Sequence, residues 1–161
     1  MGQEPEMIYM SANTRTNWIN AKKSLQNNPN YKTAEVQKFV AIRRQLILAC
    51  QKNGVGLLLG SDAPQIFDVP GFSLHHELTY LVNAGLTPYE ALRTGTVNPA
   101  VFLKREDVGV IKPGALADLI LLNSNPLTNI RATQDIEGVC LAGRWLSKTY
   151  IEQELKKLEK K

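Results

Sequence analysis

The chain has 161 residues, 43% of them hydrophobic and 21% charged, a composition that excludes wholesale disorder and allows a packed core. Its net charge of +4 lies largely in the terminal sequence KKLEKK, and the body has no basic run interleaved with aromatic residues. Nucleic acid is therefore not a predicted partner.

The sequence carries no signal for secretion, membrane insertion or disulfide formation. Its start, MGQEPEMIYM, has neither a basic region nor an apolar stretch, and no run approaches the length of a membrane span. A cytoplasmic location is the default expectation, although removal of an upstream portion would remove any signal with it. Cys50 and Cys140 are the only cysteines, have no metal-binding spacing, and are predicted to be buried free thiols.

The first part of the chain is predicted to be mainly helical. Residues 1–31 are rich in Asn and indicate a loop with one helix over residues 18–25. From residue 33 the apolar residues share one broad stripe at helical spacing, which predicts a helix that ends near Gly54. The sequence SLHHELTYLVNAG predicts a further helix with Ser73 as N-cap and Gly85 at its end. Two more helix starts pair a capping residue with a proline: Thr87-Pro88, where Glu90 completes a capping box, and Asn98-Pro99.

The stretch GVGLLLGSDAP, residues 54–64, is a short apolar run that breaks at Gly60 and then presents a carboxylate, Asp62. Residues 55–60 are too few for another helix and apolar throughout, which predicts a strand covered on both faces of a parallel sheet. Asp62 then follows the C-terminal end of that strand, where parallel α/β folds have their sites. The residues alone equally allow an ordinary polar turn.

After residue 105 the pattern becomes β-rich. VGVIKPGALADLILL contains strand-like runs on both sides of a turn at Pro113-Gly114, and EGVCLAGRWL predicts a hairpin that turns at Ala142-Gly143. The tail from Thr149 predicts a terminal helix with one narrow apolar stripe.

Four segments occur in an order that is far more specific than any lone short motif: GVGLLLGSDAP, HHELTYLVNAGLTPYEALRTGTVNPA, GVIKPGALADLILLNSNPL and VCLAGRW. In this order they resemble the C-terminal end of the amidohydrolase superfamily, particularly its imidazolonepropionase-like members. The resemblance covers residues 36–145, and the first thirty or so residues match less distinctively.

The resemblance implies an α/β fold that is the C-terminal portion of a (β/α)8 metal-dependent hydrolase barrel, followed by a small β-sandwich segment and a terminal helix. The corresponding division is residues 1–105, 106–148 and 149–161. It also implies a divalent metal cofactor, with zinc as the expected ion, and a small-molecule or dipeptide-like substrate whose C–N bond is hydrolysed.

Asp62 falls on the aspartate that closes the family's eighth strand, so the resemblance implies a catalytic metal ligand that takes the proton from the attacking water. The chemistry suits this role, because a bound divalent ion lowers the pKa of water toward ~7 and an adjacent carboxylate can act as base. His75 aligns with a family histidine in a His-x-Glu-Leu stretch, which implies a support or substrate-side role. A helix-start histidine bonded to nearby backbone remains the alternative, and neighbouring His76 points about 100° away, so the two form a poor chelating pair.

Three further residues are interpreted without a catalytic role. Glu77 is predicted to be a first-turn acid that suits the helix dipole. Asp118 is similar to a structural residue of the family's small β domain, and Trp145 is predicted to be a core or interface aromatic.

The sequence departs from the family in its metal site. The family's other site residues are a His-x-His on the first strand, a carboxylated lysine or a glutamate near mid-barrel, and histidines from the fifth and sixth strands, and none occurs in this sequence. One carboxylate cannot form a site of three or four ligands. The chain is therefore interpreted as a segment of a hydrolase, inactive alone, with a non-catalytic interaction or assembly module as the alternative. Open sheet edges and uncovered apolar faces predict self-association.

Overall fold

The structure, a computed structural model, describes residues 4–160, so predictions for residues 1–3 and 161 lie outside the described residues. Helices precede a small sheet, and one more helix follows it. The elements in chain order are a first 3₁₀ helix (Pro5–Tyr9), α1 (Ala12–Gln26), α2 (Thr33–Lys52), α3 (Ser73–Asn83), α4 (Pro88–Thr94), α5 (Val97–Phe102), β1 (Leu119–Leu122), a second 3₁₀ helix (Ile130–Gln134), β2 (Ile136–Leu141), β3 (Arg144–Ser147) and α6 (Lys148–Leu158).

Helices α1 and α2 form from local signals, and neither has a buried residue in the described part of the chain. The Ser11 Oγ accepts a hydrogen bond from the Thr14 N–H at 3.1 Å, so α1 begins well before residue 18, where the sequence predicted its start. The prediction for α2 is confirmed, since the helix runs over Thr33–Lys52 and Gly54 follows it with φ +71°.

Helices α3, α4 and α5 follow one another with short connections. The capping box is confirmed, since the Glu90 N–H donates to the Thr87 Oγ1 and the Thr87 N–H donates to the Glu90 carboxylate. The cap predicted at Asn98 is wrong. Asn98 lies inside α5, and its Nδ2 donates to the Leu57 backbone oxygen at 2.8 Å.

The core lies where α3 and α4 meet the second 3₁₀ helix. Its buried members are Leu78, Leu81, Leu86, Ala91 and Ile130. Partly buried leucines from α2 and from residues 55–60 pack against this cluster, among them Leu48, Leu57 and Leu59. Because the second 3₁₀ helix belongs to the β-rich part, one cluster joins that part to the helices.

The strand predicted over residues 55–60 does not form. Within residues 4–160 this segment has no neighbouring strand. The Leu59 N–H donates instead to the Thr94 backbone oxygen at 2.9 Å. Burial on both faces also fails, because Val55 is 54% exposed and Leu58 is 49% exposed. A strand forms only when its backbone groups hydrogen-bond to a neighbouring strand. An apolar sequence does not by itself provide that neighbour.

The sheet is antiparallel with the strand order β1-β2-β3. The predicted hairpin is confirmed: Leu141 of β2 pairs with Arg144 of β3, and the turn between them has φ +49° at Ala142 and +79° at Gly143. Positive φ at both positions matches the twist of the flanking strands. The Asp118 Oδ1 accepts the Ala142 N–H at 2.6 Å, so Asp118 has the structural role that was expected of it.

Two predictions for the β-rich part hold only in part. Of the runs that flank residues 113–114, only Leu119–Leu122 forms a strand in the described chain. In the earlier run, Gly109 has φ +75° and lies so close to the backbone of Thr96 that an added Cβ would collide with it. Trp145 is 52% exposed, so it is not a core residue, and its role as an interface aromatic stays a prediction. Its ring lies over Gly138, where an added Cβ would collide with it.

The remaining predictions concern thiols, membranes and the tail. Cys50 and Cys140 are free, as predicted, but only partly buried. Across residues 4–160, none of the helices combines the length and apolar character that crossing a bilayer requires. The terminal helix is confirmed as α6, which begins at Lys148.

Candidate functional site

Asp62 follows the extended apolar segment and is exposed to solvent. Its φ of +57° lies in the left-handed region, which aspartate adopts more readily than most residues with a side chain. Within residues 4–160 its carboxylate receives one hydrogen bond, from the Gln65 Nε2 to Oδ2 at 3.3 Å. The other carboxylate oxygen therefore stays available to a donor or a cation.

The residue before Asp62 is fixed to helix α3. The Ser73 Oγ donates to the Ser61 Oγ at 2.8 Å, and Ser73 is only 3% exposed. The prediction that Ser73 caps α3 is wrong, because Ser73 is already the first helical residue and Phe72 is the N-cap. The Ser73 side chain thus holds the loop that carries Asp62 and does not cap a backbone N–H at the start of α3.

The two histidines on α3 have separate partners. The His75 Nδ1 lies 3.0 Å from the Thr133 Oγ1, and the His76 Nε2 lies 3.0 Å from the Glu6 Oε1. In the described residues no hydrogen bond joins either histidine to Asp62. Burial, and to a smaller extent the neighbouring His76, lowers the pKa of His75. The backbone-bonded alternative for His75 is wrong, since its ring contacts a threonine hydroxyl from the second 3₁₀ helix.

Glu77 is not the first-turn acid that the sequence predicted. Helix α3 begins at Ser73, and its first turn, which lies wholly in the described residues, has no acidic side chain. Burial raises the pKa of Glu77 above its ordinary range; Arg43 of α2 opposes this rise, and Asp68 adds to it. The environment of Glu77 depends on α2 and on the loop that contains Asp68, both of which lie near it in space. The spacing of residues along α3 could not reveal this environment.

Sequence reasoning also missed Glu6. This carboxylate lies in the first 3₁₀ helix and is only 8% exposed, although acidic residues are seldom buried without a partner. Its partner, His76, is seventy residues further along the chain. A local pattern carries no information about a pairing at that separation.

The side chains do not fit a complete metal site. Within residues 4–160, no group of three or more His, Cys, Asp and Glu side chains is arranged to hold an ion. A divalent zinc ion needs at least three protein ligands, and Asp62 would supply one. Any metal held at Asp62 would need ligands from sequence outside this chain.

Comparisons with known proteins cover most of the chain. The sequence profile of the Amidohydrolase family matches residues 6–146. This chain belongs to the amidohydrolase family. The resemblance identified from the four segments is therefore confirmed, and the match extends into the first thirty residues, which had looked less distinctive.

Amidohydrolase relatives match shorter stretches. Imidazolonepropionase of Cutibacterium acnes is 43% identical over 65 residues, which are 38% of this chain and 16% of that protein. Ochratoxinase of Aspergillus niger is 33% identical over 91 residues, which are 55% of this chain and 18% of that enzyme. Adenine deaminase of Serratia proteamaculans is 42% identical over 57 residues, or 35% of this chain and 9% of the deaminase.

Amidohydrolase structures match over longer spans. Bottromycin amidohydrolase aligns over 96% of this chain and 34% of its own, with a TM-score of 0.75 and 21% identity. A Xaa-Pro dipeptidase with bound methionine in its active site aligns over 83% of this chain and 33% of its own, with a TM-score of 0.60 and 22% identity. At these identities the likeness shows the fold alone. The chain thus has an α/β amidohydrolase fold and spans about a third of the length of these two structures.

Proposed function

We propose that this chain is the C-terminal part of a metal-dependent amidohydrolase that hydrolyses C–N bonds of amide, cyclic amide or dipeptide type. In this proposal Asp62 is a metal ligand and the catalytic base, and zinc is the expected ion. The observation that carries the proposal is the exposed Asp62 carboxylate at the end of the apolar segment, inside the region that matches the family. The remaining ligands come from sequence outside this chain.

The contacts around Asp62 support its proposed role. Its neighbour Ser61 is held by buried Ser73, and Gln65 donates to one carboxylate oxygen. The first contact holds the residue before Asp62 and the second holds the carboxylate itself, while one of its oxygens stays available. A ligand held in this way loses less side-chain freedom when an ion binds, which favours binding. His75, two residues after Ser73 on the same helix, is proposed as a supporting or substrate-side residue.

The proposed architecture is the end of a (β/α)8 barrel over residues 1–105, part of a small β-sandwich over residues 106–148, and a helical tail over residues 149–161. Residues 55–60 are proposed as the eighth strand, which pairs only when neighbouring strands are present. Two observations support this view: the exposed side chains of Val55 and Leu58, which neighbouring elements would cover, and the antiparallel sheet that follows the helices.

The substrate class follows from chemistry shared by the relatives. Their names describe enzymes that act on an imidazolone, an Xaa-Pro dipeptide and ochratoxin. For this chain we propose a small-molecule or dipeptide-like substrate with a scissile C–N bond. No nucleic acid or membrane partner is included in the proposal.

A second candidate is a non-catalytic interaction or assembly module. The observation that favours it is the absence, within the described residues, of any metal-holding group of three side chains. The two candidates differ in what lies upstream of Met1 in the gene, because a hydrolase requires further metal ligands there.

The test uses the longest reading frame that contains this chain. We expect that reading frame to encode an upstream His-x-His, to purify with a divalent ion, and to hydrolyse an N-acyl amino acid, an Xaa-Pro dipeptide or an imidazolone. Asp62→Asn should lower kcat by about 10²–10⁴-fold, as expected for loss of a general base. Asp68→Asn is the matched control in the same loop and should keep most of the activity.

Elemental analysis of the 161-residue chain completes the test. After dialysis against zinc and removal of the excess, we expect far less than one ion per chain. A stoichiometric ion that disappears in Asp62→Ala would contradict the view that ligands are missing. An upstream sequence without metal ligands would favour the interaction module, and full activity in Asp62→Asn would exclude Asp62 as base.

A further inference from the structure

A cavity of about 490 Å³ lies between the first 3₁₀ helix, α3, the start of β2 and α6. The Lys160 N–H donates to the Ile8 backbone oxygen at 2.8 Å, which fastens the two sequence ends beside it. Its volume is in the range of sites that hold small ligands. Asp62 is not among its lining residues, so the cavity raises a separate question of what it binds.

One wall of the cavity is His75, whose tautomer follows from its hydrogen bonds. The Thr133 hydroxyl has a single proton, which it donates to the Ile130 backbone oxygen at 2.9 Å. The same hydroxyl lies 3.0 Å from the His75 Nδ1; with its proton engaged at Ile130 it would accept there, and on this ground we assign the hydrogen to Nδ1. Burial lowers the pKa of His75, so the ring is neutral at pH 7 and its Nε2 is a bare acceptor.

A second acceptor is the Glu6 carboxylate, whose side chain is only 10% exposed. Its Oε1 lies 3.0 Å from the His76 Nε2, and within residues 4–160 its Oε2 has no hydrogen-bond donor. In the described residues no fully buried side-chain oxygen or nitrogen lacks a partner, so Oε2 and the His75 Nε2 are both reachable by solvent. Glu6 and His75 both line the cavity. The cavity therefore has two hydrogen-bond acceptors to which a ligand can donate.

The cavity is acidic in a basic protein. Four of its lining side chains are carboxylates, from Glu4, Glu6, Asp135 and Glu152. Lys148 lies 3.7 Å from Asp135 and His76 lies 3.0 Å from Glu6, so among the described residues Glu4 and Glu152 are the lining carboxylates without a basic partner, in a chain whose net charge is +4. A negative potential in a concave, partly dry site favours a cation.

The rest of the wall is apolar and aromatic. The rings of Tyr9 and Phe72 stack with centroids 5.0 Å apart, and Ile151 and Leu155 of α6 line the same cavity. This surface suits a hydrocarbon or aromatic group, and an aromatic ring face also attracts a cation. A hydrated inorganic ion would leave the apolar wall unused.

We propose that the cavity binds a small organic ammonium ion, with the ammonium group between Glu6 Oε2 and His75 Nε2 and an apolar body against Tyr9, Phe72 and α6. The ammonium group has three hydrogens to donate and meets two acceptors that lack donors. The inference stands on the cavity alone and does not require the chain to belong to a hydrolase.

Isothermal titration calorimetry on the 161-residue chain tests the proposal with three probes of similar size: 2-phenylethylammonium, 2-phenylethanol and phenylacetate. We expect one-site binding of the ammonium probe, about tenfold or more tighter than either other probe, because only the ammonium group brings charged N–H donors to the two acceptors. Equal binding of the ammonium and alcohol probes would overturn the proposal.

Two matched variants locate the charge. Glu6→Gln should weaken the ammonium probe about tenfold or more. Glu137→Gln makes the same charge change at an exposed position outside the lining residues and should leave binding unchanged. If Glu6→Gln does not fold, Glu152→Gln at the same cavity should weaken the ammonium probe and leave 2-phenylethanol unaffected. An equal loss in Glu137→Gln would contradict a local site.

A ¹⁵N spectrum of the histidine side chains gives an independent readout. We expect a protonated Nδ1 and an unprotonated Nε2 at His75 in the free chain, and a shift of the Nε2 resonance when the ammonium probe saturates. The opposite tautomer, or an Nε2 resonance that stays fixed at saturation, would exclude the proposed contact. Thr133→Val should abolish the preference for the Nδ1–H tautomer, which separates the role of the hydroxyl from that of the cavity.

Discussion

Helices α2 and α3 both carry apolar stripes, but only α3 has buried side chains, whereas α2 reaches the core with the partly buried Ile47 and Leu48. In α3, Leu78 and Leu81 are 6% and 5% exposed, whereas α2, over its 20 described residues, has no buried side chain. On α2, Phe39 is 59% exposed and Leu46 is 62% exposed. An apolar stripe identifies the side of a helix that favours burial, and the rest of the chain decides whether a partner exists. For α3 the partners are α4 and the second 3₁₀ helix; for α2 the proposed barrel would supply them.

The largest expected difference in stability is between leucine-to-alanine substitutions in the two helices. Leu81→Ala should lower the free energy of unfolding by about 3 kcal/mol, because it leaves a cavity in the α3–α4 core. Leu46→Ala should lower it by about 0.5 kcal/mol or less, because that side chain is already largely in water. Urea unfolding followed by circular dichroism measures both. Equal losses would mean that α2 is covered in solution, for example by a second copy.

A glycine pair extends the comparison to the sheet. Gly138→Ala should lower the free energy of unfolding by about 1–3 kcal/mol, because the added methyl collides with the Trp145 ring and overpacks the hairpin. Gly56→Ala should change it by about 0.5 kcal/mol or less, since in the described structure a Cβ there meets no atom within 4 Å. The same urea titration applies, and a neutral Gly138→Ala would show that Trp145 swings free in solution.

The pH dependence of stability should show the burial of His75. Burial lowers its folded-state pKa below the ordinary value of 6.5, so the unfolded chain binds a proton more readily than the folded chain. The stabilising contribution is therefore complete above pH 6.5 and is lost as the pH falls through the lowered folded-state pKa. His75→Gln should flatten this part of the profile in urea titrations between pH 7.5 and 5. An unchanged slope would contradict a neutral buried ring.

The smallest effect on stability is expected when lysines replace apolar residues in the stripe of α2. Phe39→Lys with Leu46→Lys should change the unfolding free energy by about 0.5 kcal/mol or less and yet reduce the predicted self-association. Light scattering at micromolar concentration measures the mass, with Gln45→Lys on the same helix as the control. A parent chain that is already monomeric would remove the basis for the self-association prediction.

Local signals predicted the elements that local physics can form. The capping box at Thr87, the hairpin turn at Ala142-Gly143 and the helix over Thr33–Lys52 each depend on residues a few positions apart. The errors share the opposite property. The strand at residues 55–60 needed a partner, and the side chains of Ser73 and Asn98 bond to a distant loop and to the apolar segment instead of to their own helices.

The candidate site divides in the same way. The position of Asp62 could be predicted because the apolar run and the break after it are contiguous, and the structure has the residue exposed there. The burial of Glu6 and the raised pKa of Glu77 arise from contacts with α3 and α2 that no spacing encodes. The metal role of Asp62 stays a prediction, since it depends on ligands beyond this chain.

The hydrogen bond between Lys160 and Ile8 also sets how the molecule yields to force. A pull between the two ends of the chain would load that contact first and would separate the end of α6 from the first 3₁₀ helix. The helices α3 and α4 would carry tension only after this contact had broken, so the molecule would open at its edge before its core. The proposed ammonium cavity lies between the first 3₁₀ helix and α6. A ligand that contacts both elements would therefore raise the force needed to separate them.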